Sequence, residues 1–185
     1  MQRKSMMALA TATLVLLTVA AFAATPLASA EADNAEAEGF KHIDSTWGTA
    51  TVFAPNKPPQ RVDASLHLLA KKTPSQILII EGTITIGGHV WYVKEANLVS
   101  GSDFISLMQA EYSDILTAES DQNVLSRIAC RKTVIQLKLI DKDGNTAYAA
   151  LGGHRNPNGE LTLRAAGFSR SLWKMAVAQF RAIVS

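Results

Sequence analysis

The feature that most limits the fold is the stretch Gln76 to Val99, QILIIEGTITIGGHVWYVKEANLV, in which two runs of alternating apolar and polar residues flank Gly87-Gly88. A two-residue Gly-Gly turn supplies the positive φ angles of type I′ and II′ hairpins, so the pairing follows residue by residue. It sets Ile86 opposite His89, Ile84 opposite Trp91, Gly82 opposite Val93 and Ile80 opposite Glu95. The other surface pairs Thr85 with Val90, Thr83 with Tyr92 and Glu81 with Lys94. Leu78, Ile80, Ile84, Ile86, Trp91 and Val93 then share one face, and threonines, a tyrosine and an opposite-charge pair share the other. Such a hairpin belongs in an antiparallel sheet with one dry face and one wet face.

Period-two patterning recurs on both sides of it. Trp47, Thr49, Thr51 and Phe53 alternate until Pro55-Asn56-Lys57-Pro58-Pro59 stops the strand. Val62, Ala64, Leu66, Leu68 and Ala70 point one way, with Asp63, Ser65, His67 and Lys71 the other. Lys72-Thr73-Pro74-Ser75 reads as the turn into the Gly-Gly hairpin. A second hairpin, Thr133 to Gly152, turns at Asp143-Gly144 and gathers Ile135, Leu137 and Leu139 on one face. Its turn is either two residues or a longer type I turn with a glycine bulge. Leu161, Leu163 and Ala165 mark a further inward-facing strand after the loop Gly153 to Gly159.

Two segments carry helical spacing. Phe104, Leu107, Met108, Tyr112 and Ile115 predict a helix over Ser102 to Thr117, with Ser102 as cap and Asp103 at the positive end of the dipole. Trp173, Val177, Phe180 and Val184 step by four, three and four, which predicts a C-terminal amphipathic helix with Arg170, Lys174 and Arg181 on a different side. Val124 to Ala129 fits a helical turn or a strand.

The start of the chain reads differently. Arg3 and Lys4 precede an apolar run, Met6 to Ala24, and Ala28-Ser29-Ala30 fits the small-x-small pattern before a signal peptidase cut. Residues 1–30 are expected to be a cleaved signal peptide, residues 31–44 a flexible acidic tail, and residues 45–185 a single β-rich domain. An uncleaved anchor is the rival reading, since a run of about 18 apolar residues can just span a bilayer. Cleavage would leave 185 − 30 = 155 residues, enough for one core. It would also remove two of the 18 basic residues, leaving 16 against 16 acidic. A neutral chain gives no reason to expect a nucleic-acid partner. Cys130 is the only cysteine, so no internal disulfide is expected, and Ile128-Ala129-Cys130 suggests a small buried hydrophobe.

Signatures of chemistry are sparse. Asp141-Lys142-Asp143-Gly144-Asn145 lacks the glycine position and distal glutamate of a calcium loop and reads as a hairpin turn. His42, His67, His89 and His154 share no metal-binding motif, so no metal or cofactor is expected. There is no nucleophile elbow, Walker loop or dinucleotide-binding pattern, and no catalytic residue is assigned. The candidate ligand-binding residues are His89 and Tyr92, on or beside the wet side of the first hairpin, and His154, Arg155 and Asn156 in a donor-rich loop.

These readings add up to a mainly β domain: an antiparallel β-sandwich or partly open β-barrel, with one inserted helix and a C-terminal helix packed against it. A small barrel ending in a helix resembles the lipocalin shape. The Gly-x-Trp signature of that family is absent, because Thr46-Trp47-Gly48 has the order reversed, and there are no paired cysteines, so the sequence assigns no family. The function expected is that of an exported, non-enzymatic module binding a small apolar ligand or another protein. A small secreted hydrolase or metal-dependent enzyme, and a membrane-anchored surface domain, are the alternatives.

Overall fold

The structure, a computed structural model, describes residues 39–72 and 77–185. The expected signal peptide, most of the acidic tail and the turn at residues 73–75 lie outside the described residues. Eight antiparallel strands run in chain order around a closed barrel: β1 (Phe40–Phe53), β2 (Gln60–Lys72), β3 (Ile77–Ile86), β4 (His89–Val99), β5 (Val134–Ile140), β6 (Thr146–Arg155), β7 (Leu161–Ser169) and β8 (Met175–Val184). Two helices, α1 (Gly101–Tyr112) and α2 (Glu119–Ala129), are inserted between β4 and β5.

Mainly β is therefore correct, while the sandwich and the open barrel give way to a closed barrel. The largest correction concerns the C-terminus. Residues 175–184 form not a helix but β8, which pairs with β7 on one side and β1 on the other and so closes the barrel. Ala176, Ala178, Phe180 and Ala182 alternate inward, at 3% exposure or less, against Val177, Gln179 and Arg181 outward. Alanine is a strong helix former and hardly registers in a hydrophobic alternation, so the helical reading was the natural one. Hydrogen bonding to two neighbouring strands overrides that local preference. The domain also begins earlier than expected, because residues 40–44, assigned to the tail, already belong to β1.

The first hairpin turns at Gly87 and Gly88, with φ of 59° and 81°, and pairs Ile86 with His89, Ile84 with Trp91, Thr85 with Val90 and Thr83 with Tyr92 as expected. Below Thr83 the expected alternation fails. The β2–β3 ladder shifts register between Leu69 and Ala70, so that Glu81 pairs with Leu69 and Ile79 with Ala70. Ile80 is the extra residue. It turns out to solvent at 49% exposure, and Ile79 takes the inward position at 7%. A bulge adds one residue to one strand, and one residue of slip moves a side chain to the opposite face.

The dry face becomes the barrel interior. Leu66, Ile84, Trp91, Leu137, Leu151 and Phe180 fill it, each 1% exposed or less, between the small side chains of Ala50, Ala147, Ala149 and Ala182. An eight-stranded barrel is just wide enough for side chains to fill it, and large residues need small ones opposite them. The expected inward sets on β2, β5 and β7 all take part in this core.

The helices pack outside. Ser100, not Ser102, caps α1: its Oγ accepts from the Asp103 N–H at 3.1 Å. Phe104, Met108 and Tyr112, spaced by four, form the buried stripe of α1. They join Leu125 and Ile128 of α2 over Ala150, Ala166, Phe168 and Met175, which face outward from β6, β7 and β8. The segment 124–129 is thus helical. Lys174, in the loop before β8, ties this hairpin down through the buried carboxylate of Asp121 at 2.8 Å. The helices cover one wall of the barrel, and among the described residues no helix packs over the wall made by β1 to β4. No helix among the described residues is long and apolar enough to cross a membrane.

Candidate functional site

The bare wall carries a row of chemically active side chains set by strand register. Asp44 on β1 pairs with His67 on β2, His67 with Thr83 on β3, and Thr83 with Tyr92 on β4. Their sequence neighbours Ile43, Leu66, Leu68, Ile84 and Trp91 point into the core, so strand alternation sends all four outward. Laterally paired side chains on one face lie within about 5 Å of each other at Cβ. With His42 and Glu81 they border a cleft of about 430 Å³.

Within the row, His67 Nδ1 lies 2.9 Å from Asp44 Oδ1. A carboxylate can only accept, so in this contact the His67 Nδ1–H is the donor. Tyr92 is 48% exposed, presenting an aromatic edge and a phenol together. Gly82 sits in the floor at φ 151°, where a Cβ would come within 2.3 Å of the His67 carbonyl oxygen. Only glycine lets β3 approach β2 this closely beside the bulge. Among the described residues no group of three His, Cys, Asp or Glu side chains is placed to hold a metal ion.

The five residues expected to bind ligand fall in three places. Tyr92 is in the cleft. His89, whose partner Ile86 is buried, lies on the opposite face of β4 from Tyr92, at the barrel mouth, rather than on the wet side with it. Its Nε2 is 3.1 Å from Asp141 Oδ2, and its ring meets Trp91 edge-on at 5.1 Å. Asp141 also accepts from the backbone N–H groups of Asp143 at 2.9 Å and Asn145 at 2.8 Å, and from Asn145 Nδ2 at 2.8 Å. Burial pushes this carboxyl pKa up, and the hydrogen bonds from Asn145, Asp143 and His89 outweigh burial and hold it below its ordinary value. The oxygens that gave the segment its calcium-loop look are occupied by its own turn, a type I turn with Gly144 at φ 84°. Beneath His89, the buried Nε1 of Trp91 has no hydrogen-bond partner among the described residues.

His154, Arg155 and Asn156 lie at the far end of the barrel. Arg155 Nε donates to the Gly159 carbonyl at 3.0 Å, and Asn156 exchanges backbone bonds with Gly159 and Glu160 at 2.9 and 2.8 Å. These contacts build the β6–β7 turn. Cys130, expected to be buried, is exposed at the end of α2.

Sequence reasoning did not single out Asp44, His67 or Glu81 as site residues. The Gly-Gly turn placed Thr83 beside Tyr92, but nothing local placed Asp44 beside His67. That needs the β1–β2 register, which a Pro-rich turn does not specify. No protein-family model, curated protein or solved structure matches this chain, so the reading of its function starts from this geometry.

Proposed function

We propose that this chain is an exported, non-enzymatic binding module that engages a partner protein through the outer wall of β1 to β4. The observation that carries this is the row Asp44–His67–Thr83–Tyr92, set on the wall that the helices leave bare. Export rests on the charged, apolar and small-residue pattern of residues 1–30.

The filled interior favours a protein over a small apolar ligand, because Leu66, Trp91, Leu137 and Phe180 occupy the space that such a ligand would take. Trp47, Ile80, Val90 and Tyr92 are each 37% exposed or more and are set among charged and hydroxyl side chains. Aromatic anchors in a polar surround are what protein interfaces show. Four strands about 4.8 Å apart and ten residues at about 3.3 Å give a wall of roughly 600 Å² before side-chain relief. One side of a standard interface buries about 800 Å², so the wall suits a modest or transient complex.

A photo-crosslinking phenylalanine analogue at position 92, expressed in the native host, tests this. A discrete adduct at 92, weakened by His67→Ala and not reproduced from position 164 on β7, supports the proposal. Equal labelling from both positions, or none from 92, counts against it.

A small hydrolase is the second reading, and one observation favours it: His67 meets a carboxylate in a cleft, with a hydroxyl residue on its other side. No hydrogen bond joins Thr83 to His67 among the described residues, so the link between nucleophile and base is unmade. Ester hydrolysis by the purified protein that vanishes in both His67→Ala and Thr83→Ala would promote this reading over the first.

A further inference from the structure

A second cleft, of about 350 Å³, lies on the covered side of the barrel, between the C-terminal end of α1 and the β5–β6 hairpin. Tyr112 comes from α1, Lys138 from β5, Asn145 and Thr146 from the hairpin, Tyr148 from β6 and Ser171 from the β7–β8 loop. Among the described residues no aliphatic side chain lines it.

The walls are held in place by other contacts. Arg170 Nη1 and Nη2 grip the Asp114 carboxylate at 2.7 and 2.8 Å, and Nη2 also donates to the Glu111 carbonyl. Its guanidinium lies 5.4 Å over the Tyr112 ring. Tyr112 and Tyr148 meet edge-on at 6.3 Å. Burial first, then the neighbouring Tyr148 and Glu111, push the Tyr112 pKa up to about 12. Its phenol therefore stays neutral and can both donate and accept at any ordinary pH. Neither tyrosine hydroxyl has a hydrogen-bond partner among the described residues.

We propose that this cleft binds a neutral, hydroxyl-rich ring the size of a single sugar residue. Its cations are already balanced, Arg170 by Asp114 and Lys138 by Glu95 at 3.5 Å, so no net field is left to draw an anion. The free groups are the two phenols, the Thr146 hydroxyl and the Glu111 carboxylate, with the Ser171 hydroxyl already paired to Ser169 Oγ at 3.0 Å; phenols, hydroxyl and carboxylate are the donors and acceptors that sugar hydroxyls match. An apolar ligand would find no aliphatic wall. The volume lies near the lower bound, about 300 Å³, for ligand pockets. The proposal is independent of the partner-binding row, since none of the residues lining this cleft comes from β1 to β4.

The test is a nitrogen-15 NMR titration of the purified full chain with methyl glycosides, myo-inositol, a disaccharide, sulfate and citrate. The expected result is saturable shifts at Asn145, Thr146 and Ser171 with at least one neutral sugar or polyol, at about millimolar concentrations. Tyr148→Phe and Tyr112→Phe, which keep the rings and hence the packing, should each weaken binding about tenfold. A methyl glycoside binding as well as the disaccharide identifies a free sugar as sufficient; a stronger disaccharide identifies the end of a longer glycan. Shifts with sulfate or citrate alone, no shift with any probe at about 50 mM, or sugar binding unchanged in both phenylalanine variants would each overturn the proposal.

Discussion

Ala182 separates the closed barrel from its nearest rival most sharply. In a C-terminal helix whose buried stripe is Trp173, Val177, Phe180 and Val184, Ala182 would sit roughly 160° away from that stripe, facing solvent, and Ala182→Leu would be harmless or slightly favourable. In β8 the same residue points inward at 0% exposure, paired with Leu161 on β7 and Ser45 on β1. Three added carbon atoms have no space there, and overpacking of this kind costs about 1–3 kcal/mol. For a domain spanning residues 40–185, each kcal/mol lowers the melting temperature by about 2–4 °C, which gives an expected fall of about 2–12 °C. Gln179→Leu on the outward face is the control and should stay within about 0.5 kcal/mol of the parent. Thermal unfolding by circular dichroism, repeated in urea, reads both. An Ala182→Leu protein as stable as the parent, with Gln179→Leu the damaging change, would refute the closure of the barrel by β8.

Three further outcomes follow from the same geometry. Lys174→Met removes the Lys174 ammonium from the buried Asp121 carboxylate, and should cost about 3 kcal/mol by urea unfolding while speeding amide exchange in α1 and α2. Gly82→Ala places a Cβ against the His67 carbonyl oxygen at a backbone angle that L-residues avoid; it should cost about 1–3 kcal/mol and shift the amide signals of His67 and Thr83. The depressed carboxyl of Asp141 contributes stability that is complete above its unfolded value of 3.8 and is lost as pH falls through the lower folded value, so unfolding free energy measured from pH 6 downward should drop below pH 4, and Asp141→Asn should flatten that limb.

How much of this was legible depended on the turns. Gly87-Gly88 fixes its own register, and from it the pairing of Thr83 with Tyr92 and Ile84 with Trp91 follows without any structure. The alternation on β2, β5 and β7 identified the inward faces, because each uses large aliphatic residues separated by polar ones. Where the inward residues are alanines, as on β8, the period-two signal fades and three well-spaced large residues mimic a helix stripe. Ile80 shows a different limit: IleIle repeats are apolar in either register, so the pattern could not reveal a bulge that picks Ile79 over Ile80. Ring closure is a relation between the first and last strands, more than a hundred residues apart, and no local spacing encodes it. The cleft was hidden for the same reason, since each of its four strands contributes one outward side chain to the row.

The claim that most depends on the fold is that this barrel is filled by its own side chains and does its binding outside. Trp91, fully buried in the interior and 5.7 Å from Trp173, is the natural reporter once Trp47 is replaced by phenylalanine. Titrating that protein with a long-chain fatty acid to about 100 µM should leave the buried tryptophan emission unchanged. A saturable change at one ligand per chain would show a barrel that opens to hold an apolar guest, and would contradict the account.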